Sequence, residues 1–76
     1  MIIIVSPNEK RHTARLLELS PTKATVEYYT PHGLRRRIFR LSDGEAPGGW
    51  SLGRETLRSL RAEVERERTE ADHDSR

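Results

Sequence analysis

With 76 residues and a formal net charge of +2, the chain suffices for one small domain; only about 60% of the unfolded surface can be buried at this size, so an internal catalytic cleft is not expected. Hydrophobic residues make up 33% and charged residues 34%, with the apolar ones concentrated before residue 65, and cysteine is absent, which rules out a disulfide framework and thiolate zinc sites and fits a reducing, cytosolic compartment. The charge is sorted by position: Met1 to Ser42 holds eight Lys/Arg against three Glu, and Asp43 to Arg76 holds six Arg against nine acids.

Ile2-Ile3-Ile4-Val5 is a β-branched run bounded by Ser6-Pro7-Asn8, which predicts a buried strand followed by a loop through about Arg11. The run lacks a basic leader and falls far short of the roughly 20 residues that span a bilayer, so it reads as neither signal peptide nor membrane anchor. Thr13 to Leu19 predicts a second strand. Ser20-Pro21-Thr22-Lys23 then makes a type I turn into a third strand, Ala24 to Thr30. Pro31-His32-Gly33 predicts a bulged three-residue connection into a fourth strand, Leu34 to Leu41.

That connection sets a register. Thr30 faces Leu34, Tyr29 faces Arg35, Tyr28 faces Arg36, Glu27 faces Arg37 and Val26 faces Ile38. One face of the hairpin then carries Ala24, Val26, Tyr28 and Ile38 toward the core, with Arg36 and Arg40 snorkelling at its margin. The other turns Thr25, Glu27, Tyr29, Arg35, Arg37 and Phe39 outward as a candidate binding surface.

Ser42 to Gly49 reads as a turn-rich connector that ends at the only tryptophan, Trp50, expected to seal the junction between sheet and helix. Leu57, Leu60 and Val64 form a narrow apolar stripe at i, i+3 and i+7, predicting a helix from about Arg54 to Arg68 with Gly53 or Ser51 at its N-cap. Beyond Val64 the stripe gives way to charge, so residues 69–76 are expected to form a disordered tail outside a single domain over 1–68. The expected fold is α+β: a small twisted antiparallel sheet of about four strands with a C-terminal helix across it. A small open barrel of SH3-like type is the alternative.

The Arg35-Arg36-Arg37 cluster beside Tyr29, Phe39 and Arg40 reads as a surface for something anionic, either an acidic protein surface or nucleic-acid phosphate. The plain alternative is an edge strand kept from aggregating by its charge. Lys10, Arg11 and Arg15 form a second basic spot in and beside the first loop, a second contact if that loop is mobile. His12, His32 and His73 lie in unrelated contexts without metal-ligand spacing, and no serine has a base and an orienting acid in view. No cofactor is expected.

The opening Met1-Ile2-Ile3-Ile4-Val5-Ser6-Pro7-Asn8-Glu9-Lys10, the Thr30-Pro31-His32-Gly33-Leu34-Arg35-Arg36-Arg37 hairpin and the charged helical tail give the chain a particular likeness. It resembles the small regulators that lytic bacteriophages, the Xanthomonas-phage type among them, direct against host RNA polymerase. The resemblance implies a non-enzymatic protein that binds polymerase subunits, blocks sigma-dependent initiation and favours read-through of terminators. The chain is expected to be a monomer, with nucleic acid as a secondary partner.

Overall fold

The β-branched opening run forms a strand, Ile2–Val5 (β1), and the chain returns beside it as Arg11–Leu19 (β2). Lys23–Thr30 (β3) and Gly33–Arg40 (β4) follow as a long hairpin. Two short strands, Glu45–Ala46 (β5) and Trp50–Leu52 (β6), precede one helix, Arg54–Asp74 (α1). This computed structural model describes the backbone of residues 1–74 and the side chains through Arg68. The expected tail over 69–76 therefore falls in large part outside the described residues, although the helical backbone runs six positions past the expected end at Arg68.

All strands are antiparallel and join one sheet in the order β4-β3-β2-β1-β6-β5. The expectation of about four strands is corrected to six. The two additions lie where the sequence reads only as turns, because Gly48 and Gly49 take positive φ (89° and 87°) and reverse the chain within Pro47-Gly48-Gly49. A side chain at either glycine would be strained, so the pair encodes a hairpin despite its low strand propensity. The terminal strands β4 and β5 come to lie side by side with no ladder between them. The sheet thus curls into a near-barrel with one open seam.

β2 spans the bend. Its first half pairs with β1 and its second half with β3, with a register shift between Leu16 and Glu18 that leaves Leu17 as the extra residue. A bulge of this kind sharpens local twist and lets a short sheet close on itself. The inner face gathers Ile4, Ala24, Val26, Tyr28, Phe39, Ala46 and Leu52, all buried.

The helix closes one end of the barrel. Its stripe is as expected: Leu60 is buried, and Leu57 and Val64 pack against the core. Gly53 N–H donates to the Ile3 carbonyl (2.8 Å), and Ile3 N–H donates to the Thr56 hydroxyl (3.0 Å), tying the first turn to β1. Arg61 Nε donates to the Leu41 carbonyl (2.7 Å) and its Nη2 to the Ser42 carbonyl, clamping the helix onto the end of β4.

Candidate binding surface

The turn joining β3 and β4 decides where every hairpin side chain points. Thr30 pairs with Gly33, and the Thr30 hydroxyl both accepts from His32 N–H (3.1 Å) and donates to the Gly33 carbonyl (2.9 Å). Only Pro31 and His32 remain in the loop. Gly33, at φ 112°, is the first residue of the strand rather than the last of the turn. The expected register is therefore one residue out: Tyr29 faces Leu34, Tyr28 faces Arg35, Glu27 faces Arg36, Val26 faces Arg37 and Thr25 faces Ile38.

Because side chains alternate along a strand, a slip of one residue moves all of β4 to the opposite face. Phe39, expected outside, is 0% exposed in the core, and Ile38, expected in the core, is 54% exposed. The expected assignment of β3 holds, with Ala24, Val26 and Tyr28 buried and Tyr29 80% exposed. Leu34, Arg36, Ile38 and Arg40 share the outer face with Tyr29, whereas Arg35 and Arg37 lie on the inner face. The three consecutive arginines are thus divided by the pleat, and Phe39 is withdrawn from the contact surface.

Arg37 is held by the barrel mouth. Its Nε donates to the Tyr28 hydroxyl (2.7 Å), and its guanidinium carbon sits 4.2 Å from the centroid of the Trp50 ring. Trp50 in turn lies 5.2 Å from Tyr28 and 5.8 Å from His12, ring centre to ring centre. Three aromatic rings and one cation from β2, β3, β4 and β6 therefore plug the interior. Trp50 was expected between sheet and helix; it is found instead joining strands that are not neighbours in the sheet. His12 was missed as a structural residue, and its only sequence signal is its place opposite Ile4 on the inner face of β2.

The remaining basic residues separate into engaged and available. Arg40 Nη2 meets Asp43 Oδ2 at 2.8 Å and approaches Glu45 at 3.8 Å. The Asp43 carboxylate also accepts from Glu45 N–H (3.0 Å). The hydrogen bond from Arg40, followed by that backbone donor, holds the Asp43 carboxyl below its usual range, and the same hydrogen bond and charge raise the Arg40 guanidinium. Arg15 pairs with Glu27 at 3.3 Å, and on the helix Arg66 pairs with Glu63 and Arg68 with Glu65.

Lys10, Arg11, Arg35 and Arg36 are exposed and, among the described residues, form no ion pair. The register puts Lys10 and Arg35 at the end of the barrel that also carries the Pro31-His32 turn, whereas the Arg11 side chain lines a pocket with Glu55, Thr56 and Ser59 at the start of the helix. The loop bearing Lys10 is a closed turn, since Ser6 N–H donates to the Lys10 carbonyl (2.9 Å) and Glu9 N–H to the Ser6 carbonyl (2.9 Å). Its basic end is presented by ordered backbone.

A groove of about 680 Å³ runs between the helix and the β2–β3 turn, lined by Lys23, Arg40, Arg61, Val64 and Arg68 among others. Most of its cations are already engaged, Arg40 by Asp43, Arg61 by two carbonyls and Arg68 by Glu65. Arg35 and Arg36 of the hairpin, by contrast, form no ion pair among the described residues. Among the described residues no cluster of His, Asp and Glu could hold a metal ion, and no helix is long and apolar enough to cross a membrane. No protein-family model matches the chain, and neither a curated protein nor a solved structure matches it.

Proposed function

We propose that this chain is a small binding module that docks an acidic protein surface through the outer face and tip of the β3–β4 hairpin. The observation that carries this reading is the coexistence, on one exposed strand pair, of apolar and cationic side chains that the fold does not use. Tyr29, Leu34 and Ile38 are large and exposed, and Arg35 and Arg36 lie beside them without an ion pair among the described residues. Exposed aromatic and aliphatic groups framed by arginine are the composition of an interface centre, and the unbalanced charge speeds encounter with an acidic partner. Lys10 and Arg11 extend the basic field to the first loop.

The resemblance to lytic-phage regulators supplies the target: bacterial RNA polymerase in the host cytosol, with interference in sigma-dependent initiation and a further effect at terminators. The test is direct binding of the purified chain to polymerase core and holoenzyme, with transcription from a sigma-dependent promoter measured alongside. The Arg35→Glu/Arg36→Glu double variant should fold normally and lose at least about tenfold in affinity. A chain that binds neither form of the polymerase rules out this target. Exposed Tyr29, close to unpaired cations on a near-barrel, favours a second reading as a nucleic-acid module of SH3-like type. That reading predicts oligonucleotide binding that weakens steeply with salt.

A further inference from the structure

The side chains of the hairpin account for only half of what it presents, because β4 is also a sheet edge. Leu41 N–H donates across to the Thr22 carbonyl (2.9 Å). Antiparallel ladders alternate, so residues 33, 35, 37 and 39 exchange backbone bonds with β3, and residues 34, 36, 38 and 40 direct theirs away from it. The Arg40 carbonyl agrees with this parity, since it turns outward to accept from Gly44 N–H (2.8 Å). That bond closes the seam at one end. Toward the turn, the N–H and C=O groups of Leu34, Arg36 and Ile38 have no partner among the described residues; β5 forms no ladder with them, and a strand added there would enter between β4 and the Ala46-Pro47 segment that stands beside Arg36, Arg37 and Ile38.

We propose that the occupant of this edge is an extended acidic segment of the partner protein, added as a further strand beside β4 at Leu34, Arg36 and Ile38. The proposal rests on the reading of the hairpin as a docking surface and names how it docks. An added strand would meet Leu34, Arg36 and Ile38 on the outer face and Arg35 on the inner one, Arg37 being held by Tyr28 and Trp50. The complementary segment therefore carries acids at its centre and apolar residues at its flanks. A second copy of the chain fits badly, because antiparallel pairing of two β4 edges about Arg36 sets Arg36 against Arg36 and Arg35 against Arg37, and like charges directly opposite are destabilising. Main-chain bonds supply affinity in strand addition and the flanking side chains select the sequence.

The experiment is an amide NMR titration of the full chain with the blocked peptide Val-Glu-Glu-Glu-Val, together with hydrogen exchange. Binding at roughly millimolar concentration should slow exchange at the amides of Leu34, Arg36 and Ile38 by about tenfold or more. The same peptide N-methylated at alternate residues keeps its charge and should bind at least about tenfold more weakly in one of the two phases. Ile38→Pro removes an edge-facing donor without breaking a bond to β3, and should weaken the peptide while leaving thermal unfolding nearly unchanged. No binding, or binding without protection of these three amides, overturns strand addition. So does equal binding of both N-methylated peptides, a response to oligothymidylate alone, or concentration-dependent protection without peptide. Strand addition can fail in these ways while the Arg35→Glu/Arg36→Glu variant still loses polymerase; failure to bind polymerase at all removes the target instead.

Discussion

The inner and outer faces of the β3–β4 hairpin are built from the same short stretch of chain and behave as two different surfaces. Inside, Ala24, Val26 and Phe39 are fully buried and even the cation, Arg37, is absorbed by Tyr28 and Trp50. Outside, Leu34 and Ile38 are half exposed, Tyr29 more so, and Arg36 forms no ion pair among the described residues, the carboxylate opposite it on β3, Glu27, being paired to Arg15. Adjacent residues of identical chemistry therefore have opposite roles, so an arginine in this chain must be judged by its parity along the strand.

The largest expected effect breaks the comparison at its apolar pair. Phe39→Ala should cost about 3–5 kcal/mol, because a large aromatic leaves a cavity in a small core. That is comparable to the whole stability of a domain this size, at the lower end of about 5–15 kcal/mol. Ile38→Ala, one residue away and exposed, should stay within about 0.5 kcal/mol. Urea unfolding of the two variants reads the difference; comparable losses would mean that the register is wrong.

A smaller effect separates the arginines. Arg37→Met removes the bond to Tyr28 and the stack on Trp50 and should cost about 1–2 kcal/mol, with a shift in the fluorescence of the single tryptophan. Arg36→Met should leave stability within about 0.5 kcal/mol and Trp50 emission unaltered. Equal responses would show that the barrel mouth is not held by Arg37.

The smallest effect concerns Arg40, which shares the outer row with Arg36 and is nevertheless engaged. The Asp43 carboxyl it holds has a depressed folded pKa. Its contribution is therefore present above the ordinary carboxylate range and is lost as pH falls through the folded value. Acid unfolding of Asp43→Ala should be correspondingly less steep in that window. Both groups are exposed, so the difference is small and should shrink further in salt.

Much of the architecture is legible locally. The β-branched run at Ile2–Val5, the strand-rich segment ending at Thr30 and the Leu57, Leu60, Val64 stripe each announce their element, because their periods match the structures they form. The short strands β5 and β6 are not, since Glu45–Ala46 and Trp50–Leu52 have no period long enough to read and owe their pairing to β1 and to each other. The candidate site is legible as composition and illegible as geometry. Lys10, Arg11, Arg35 and Arg36 are exposed without an ion pair among the described residues, with Arg35 and Arg36 on the faces opposite to those expected, whereas Phe39, Arg37 and Arg40 are committed to the fold by partners distant from the cluster or set by the turn beyond it.

Composition and hydrophobic pattern by themselves determined that this chain is a small α+β domain with a basic hairpin and a C-terminal amphipathic helix. Only the tertiary structure decided which arginines are left exposed without an ion pair among the described residues. One bond pattern at Thr30 and Gly33 sets the parity of eight residues of β4, and closure of the sheet brings Trp50 over Arg37. Local sequence encodes which side chains alternate, but the phase of that alternation is chosen by what the turn and the core accept.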